Sequence, residues 1–215
     1  MIRRALLGTG AIALVLGSTL ATGGGIASAA PPPVQMSGTI TCAVVGTLSF
    51  GANLTSGGAT PATVQVKAKL KGCTGAGTTL DGVTVTKGSL SANSGATTMA
   101  SNCGPVFAGG ALPTLNGQIK WKATGGTAVT STVSITSASA FYDVSGNTIS
   151  VGLPTAVSAG SYAAQPVTFG GLGSNKSAYT TVSRCGAKGV KSFTFGKPST
   201  IGSVTGTVTI AGGGS

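Results

Sequence analysis

Between residues 62 and 71 the chain alternates without a break. Ala62, Val64, Val66, Ala68 and Leu70 fall on one side, and Thr63, Gln65, Lys67, Lys69 and Lys71 on the other. A backbone whose side chains turn over every two residues is a β-strand, and a single apolar face means that the strand is buried on one side only. The pattern returns in Leu115, Gly117, Ile119, Trp121 and Ala123, set against Asn116, Gln118, Lys120, Lys122 and Thr124. It returns in Ile40, Cys42, Val44, Leu48 and Phe50, and in Val129, Val133 and Ile135. Shorter runs follow at Ile149, Val151 and Leu153, at Phe193 and Phe195, and at Val204, Val208 and Ile210. Beyond the N-terminal stretch no segment shows a 3.6-residue period, and the chain has no glutamate, a strong helix former. Many short strands joined by Gly-rich turns predict an all-β fold, an antiparallel β-sandwich of immunoglobulin-like or Greek-key type.

One hairpin can be placed in register. A two-residue Gly125-Gly126 turn would set Trp121 against Thr130 and mix the two faces. A three-residue loop, Thr124-Gly125-Gly126, sets Trp121 opposite Val129 and Leu115 opposite Ile135, with Gly126 in the left-handed position. A second hairpin is expected to turn at Ser145-Gly146-Asn147. The first and last strands are locally alike, Gly38-Thr39-Ile40-Thr41 and Gly206-Thr207-Val208-Thr209, which reads as shared strand composition rather than duplication.

The N-terminus reads as an export signal. Met1-Ile2-Arg3-Arg4 is a short basic start, Ala5 to Leu20 is an apolar stretch, and Ala27-Ser28-Ala29 is a small-x-small cleavage site. Cleavage is expected after Ala29. Removing 29 of 215 residues and two of 13 cations leaves 186 residues and eleven cations against two carboxylates, a net +9. The segments are then a signal peptide (1–29), a Pro-rich lead-in (30–37), a single β-sandwich domain (38–211) and a Gly-rich tail (212–215). No further long apolar run predicts a transmembrane segment in the mature chain.

Four cysteines, Cys42, Cys73, Cys103 and Cys185, follow the cleavage site. An even count in an exported chain reads as two disulfides, and no two cysteines are close enough for the usual zinc spacings. Three pairings are possible. Cys73 ends one strand and Cys103 follows a further strand and a turn, so both could share one end of a sandwich. Cys42 has inward parity, and Cys185 is placed between strands at Tyr179–Val182 and Phe193–Phe195, near the other terminus. This favours Cys73–Cys103 and Cys42–Cys185.

The composition closes off most catalysis. Without histidine there is no His base, no His-ligated metal and no Ser-His-Asp triad. The only carboxylate side chains are Asp81, in Asp81-Gly82-Val83, and Asp143, in Asp143-Val144-Ser145. Neither setting is an aspartic-protease turn or a recognisable glycosidase pair, and two distant carboxylates do not make a calcium site. No lysine stands three residues after a serine, and no Walker-type loop is present. The chain therefore reads as non-enzymatic, with no cofactor.

What remains is charge. Lys67, Lys69 and Lys71 line the polar face of one strand, and Lys120 and Lys122 that of another. If the two strands share a sheet, five ammonium groups form a candidate polyanion-binding face, suited outside a bacterial cell to anionic envelope polymers or lipids. Exposed lysines also serve to keep a sheet soluble and block edge pairing. Specific nucleic-acid binding is not expected, because the aromatics mostly take inward parity and leave no stacking platforms among the cations. Trp121 alternates with core residues and reads as core. Tyr142, Tyr162 and Tyr179 fall in turn-rich segments, as sugar-stacking groups or as rims of the sandwich. A second reading is an extracellular carrier holding a small apolar ligand or lipid between the sheets.

Ile40-Thr41-Cys42, Lys71-Gly72-Cys73-Thr74-Gly75, Ser101-Asn102-Cys103, Ile119-Lys120-Trp121 and the Cys185 region leading to Phe193-Thr194-Phe195-Gly196 span most of the mature chain. With the signal peptide and the Gly/Thr/Ala/Val bias, they resemble a group of small secreted proteins of actinobacteria. The resemblance implies export and an extracellular β fold, and carries over no functional residue; the basic faces extend this to a secreted or cell-wall-associated protein.

Overall fold

The computed structural model describes residues 34–80, 82–126, 128–143, 147–174, 178–196 and 206–211. The signal peptide, Pro31-Pro32-Pro33, Asp81, Ser145-Gly146, Val204 and the Gly-rich tail lie outside them. The strands are β1 (Ile40–Leu54), β2 (Pro61–Ala62), β3 (Val64–Thr74), β4 (Thr79–Leu80), β5 (Val83–Asn93), β6 (Met99–Ala100) and β7 (Leu115–Ala123). They continue with β8 (Ala128–Ile135), β9 (Ser139–Asp143), β10 (Thr148–Gly152), β11 (Thr155–Gly160), β12 (Pro166–Gly170), β13 (Val190–Phe195) and β14 (Thr207–Ile210). Among the described residues the helices α1 (Cys103–Phe107) and α2 (Ala178–Ala187) interrupt them.

The expected open sandwich is overturned. Eight antiparallel strands run in the order β1-β3-β5-β7-β8-β11-β12-β14, and β14 pairs back onto β1, closing a β-barrel. Closure comes from the two locally similar termini, with Ile40 opposite Ile210 and Cys42 opposite Val208. The Thr41 and Thr209 hydroxyls meet at 3.2 Å. β1 is long enough for a further partner: beyond β14, the same edge carries β13 from Gly46 to Leu54. Period-two alternation describes one buried face per strand, and a barrel and a sandwich both satisfy it. Closure removes the open edges that a sandwich keeps.

The predicted hairpin register is correct: Trp121 faces Val129 and Leu115 faces Ile135. In the loop Gly125 takes the left-handed conformation, with φ of 73°. At the second hairpin, Asp143 pairs with Thr148.

Inward side chains fill the barrel. Ile40, Leu48, Leu54, Leu70, Leu115, Ile119, Ile135 and Ile210 are fully buried. Eight strands leave an interior about wide enough for such side chains. The outward positions of β3, β5 and β7 are Ser, Thr, Asn, Gln and Lys, with polar outside and apolar inside. A membrane-spanning barrel carries an apolar outer band instead. No helix among the described residues is long and apolar enough to cross a membrane.

A polar chain closes the end of the barrel where β1 begins. Trp121 lies in the core and its indole N–H donates to Ser131 Oγ at 2.9 Å. Ser131 donates in turn to the Ser161 carbonyl, and Ser161 Oγ donates to the carbonyl of Val34. Tyr162 stacks edge-on to Trp121, with ring centroids 5.4 Å apart, and its hydroxyl donates to the Gly77 carbonyl at 2.7 Å. Tyr162, read from the sequence as a sugar-stacking group or a rim of the sandwich, is thus a buried plug. The indole needs room across the ladder, and Gly88 gives it: a Cβ there would sit 2.8 Å from the ring.

Burial pushes the Tyr162 phenol up to about 12. The fold therefore keeps a proton that the unfolded chain releases near pH 10. This contribution to stability is complete below pH 10 and is lost as pH rises towards about 12. Tyr162→Phe is expected to flatten that alkaline limb relative to wild type. At neutral pH it should cost about 1–3 kcal/mol, because the Gly77 carbonyl loses its donor. Denaturant titrations at pH 7, 9 and roughly 11 check both effects; parallel alkaline limbs in the two proteins would refute the assignment.

The disulfides also differ from expectation. Cys42 bonds Cys73 and Cys103 bonds Cys185, in place of Cys73–Cys103 and Cys42–Cys185. The first bond staples neighbouring strands β1 and β3, and the second joins α1 to α2. Cys73 and Cys103 sit towards opposite ends of the barrel, since β3 runs from its Phe50 partner Val64 to its Thr41 partner Thr74. Tyr179–Val182, expected as a strand, belongs to α2, and the absence of helical period is corrected with it. Ala178, Thr181 and Cys185 are buried and Val182 is half-buried, an i, i+3, i+4, i+7 stripe hidden by its small and polar members. Asn147 starts this helix, its carbonyl accepting from Ala178 N and its Oδ1 from Tyr179 N.

Candidate polyanion-binding face

The five lysines singled out in the sequence do come together. Lys67, Lys69 and Lys71 stand exposed on β3, and Lys120 and Lys122 on β7. The two strands are not neighbours. β5 lies between them, and its outward residues Lys87, Ser89 and Ser91 complete the face. Pairing fixes the rows. Lys69 faces Ser89, which faces Lys120; Lys67 faces Ser91, which faces Gln118; and Lys87 faces Lys122. Leu70 is paired with Gly88, so Lys71 and Lys87 are the next residues along their strands.

The face is therefore a lattice. Alternate residues of a strand are about 7 Å apart, and neighbouring strands about 4.8 Å. Six ammonium groups occupy it, one more than the sequence offered. Lys87 was hidden by an irregularity in β5, where the pairing shifts between Val85 and Lys87. Val85 is buried at odd parity, whereas Leu90 and Ala92 are buried at even parity. A bulge reverses the inward set in mid-strand, so no unbroken alternation marks β5.

β1 extends the surface on the far side of β3, with Val45 opposite Lys69 and Thr47 opposite Lys67. Val45, Thr47, the three β3 lysines, Ser89 and Ser91 line a shallow cleft of about 630 Å³. Hydroxyls and Val45 thus flank the central row of cations, and Ala68 and Leu90 also line the cleft. Of the two carboxylate side chains in the chain, Asp143 ends β9, which pairs with β10 and not with β3, β5 or β7.

The aromatic residues distribute otherwise. Trp121 and Tyr162 are buried together, as above. Among the described residues the exposed large apolar side chains are Phe141, 48% exposed on β9, and Tyr179, 70% exposed on α2. Neither stands on a lysine strand, and Tyr142 is half-buried against the core. The lysine face therefore has charge and hydroxyls but no stacking platform. Compared with known proteins, the chain matches no protein family, no curated protein and no solved structure.

Proposed function

We propose that this is a non-enzymatic, secreted or cell-wall-associated β-barrel protein that binds anionic envelope polymers or lipids through the outer face of β3, β5 and β7. The observation that carries this reading is the gathering of Lys67, Lys69, Lys71, Lys87, Lys120 and Lys122 on one exposed surface of a chain with only two carboxylates. Such a surface raises the local concentration of polyanions and steers their approach. The interior is occupied by the protein's own side chains, which favours the outer face over an internal apolar ligand. Two disulfides suit an oxidising compartment, and the signal-like N-terminus supports export.

Binding of the purified protein to an immobilised anionic polymer is expected to fall steeply with salt. The Debye length shrinks from about 10 Å at 0.1 M to about 3 Å at 1 M, and exposed charges are screened accordingly. The triple variant Lys69→Ser, Lys87→Ser, Lys120→Ser should bind at least about tenfold more weakly at low salt. All three side chains are exposed, so its thermal unfolding should stay close to wild type. Retention that ignores salt, or a triple variant that binds as wild type, would overturn the proposal.

A further inference from the structure

A second cationic site lies outside the lysine face. Between α2 and β13 is a cavity of about 320 Å³ whose lining includes Asn53, Thr180, Arg184, Lys191, Ser192 and Thr194. Its construction follows from the end of α2. Lys188 N and Gly189 N both donate to the Arg184 carbonyl, at 3.0 and 2.7 Å. These bonds close the last turn and satisfy one of the four carbonyls that a helix end leaves open, while the Cys185 carbonyl accepts from Ser56 N. Gly189 then turns the chain in the left-handed region, with φ of 74°, close against β1. A Cβ at Gly189 would lie 2.8 Å from Asn53 Cβ, so the close approach of β13 to Asn53 requires glycine. Lys191 follows on β13, its ammonium donating to the Gly51 carbonyl at 2.5 Å. That bond uses one of its three protons; Lys191 lines both this cavity and the neighbouring cleft that contains Gly51, so its ammonium stands between the two with two protons left to donate.

We propose that this cavity binds a phosphomonoester group, held by Arg184 and Lys191. The guanidinium offers a planar fork of donors suited to phosphate oxygens, and the anchored ammonium adds a second positive charge. A phosphomonoester near neutral pH carries about −1.5 to −2 charges, which two cations balance; a carboxylate would leave one of them unpaired. The remaining lining is rich in hydroxyls and contains no carboxylate, as a group with three acceptor oxygens needs. The cavity shares Thr194 with the cleft over the lysine face, yet its cations are separate from the six lysines, so the two sites can be tested apart.

The test is an amide-resolved NMR titration of the full mature chain with glycerol 3-phosphate, with acetate as the carboxylate control. Saturable shifts are expected at Arg184, Gly189 and Ser192, with acetate binding at least about tenfold more weakly. Arg184→Ala should weaken binding of the ester about tenfold or more, and Arg184→Lys should restore part of it. The Lys69→Ser, Lys87→Ser, Lys120→Ser variant should bind the ester as wild type, even if that variant has lost the polymer. A glycerol-phosphate oligomer bearing a terminal phosphomonoester, before and after phosphatase, separates the sources of the group. Arg184-dependent shifts with the oligomer alone assign a chain end, and shifts with both assign the free ester as sufficient. Shifts that do not saturate, that acetate matches, or that survive Arg184→Ala would overturn the proposal.

Discussion

Replacing Cys103 and Cys185 by serine is expected to lower the unfolding free energy by about 4–5 kcal/mol. The bond spans 82 residues of chain, and the entropy model for closing a loop of that size gives about 4.5 kcal/mol. The shorter Cys42–Cys73 loop of 31 residues gives about 3.7 kcal/mol. Single domains are stable by only about 5–15 kcal/mol, so loss of both bonds should leave the chain close to unfolded at 37 °C. Removal of the Cys103–Cys185 bond alone should lower the melting temperature by about 10–15 °C. Non-reducing peptide mapping supplies the structural check: the purified protein should yield Cys42–Cys73 and Cys103–Cys185 peptides and no Cys73–Cys103 peptide. Equal destabilisation by the two cysteine pairs would indicate that native strain or residual unfolded structure, rather than loop length, sets the effect.

Trp121→Ala should cost about 3–5 kcal/mol, the range for removing a buried large aromatic. Two losses combine. A cavity opens beside Tyr162, and the Ser131 hydroxyl loses the indole donor while still donating to Ser161. Trp121→Phe keeps much of the ring and should recover about half of that stability, short of wild type by the hydrogen bond. Urea unfolding followed by circular dichroism measures all three proteins. A Trp121→Ala midpoint within error of wild type would mean that the indole does not close the barrel end.

The lysine face shows how far local pattern reaches. Lys67, Lys69, Lys71, Lys120 and Lys122 were legible because their strands alternate without interruption, and the Trp121–Val129 register was legible because only one loop length matches the faces. Lys87 was not, because the bulge in β5 reverses parity between Val85 and Leu90. That Lys120 stands two strands from Lys69 depends on β5 lying between them, and strand order is not written in any strand's own periodicity. The Arg184–Lys191 cavity was further out of reach: α2 carries its stripe on Ala178, Thr181, Val182 and Cys185, a short and mostly small or polar set with too little apolar contrast to mark a helix.

The sequence by itself determined which residues face inward along most strands, that two disulfides could form, and that the chain carries no histidine and only two carboxylate side chains. These are local or compositional properties, fixed by the two-residue turnover of a strand and by which side chains are present. Tertiary structure alone decided that the sheet closes, that Cys42 meets Cys73, and that Tyr162 is a buried plug. Each of these depends on contacts between distant parts of the chain. Ile40 finds Ile210 across nearly the whole domain, and Cys103 finds Cys185 through two helices. An alternating strand buries its apolar face equally well in a sandwich or a barrel. The choice was made where the first and last strands paired and left neither with an open edge.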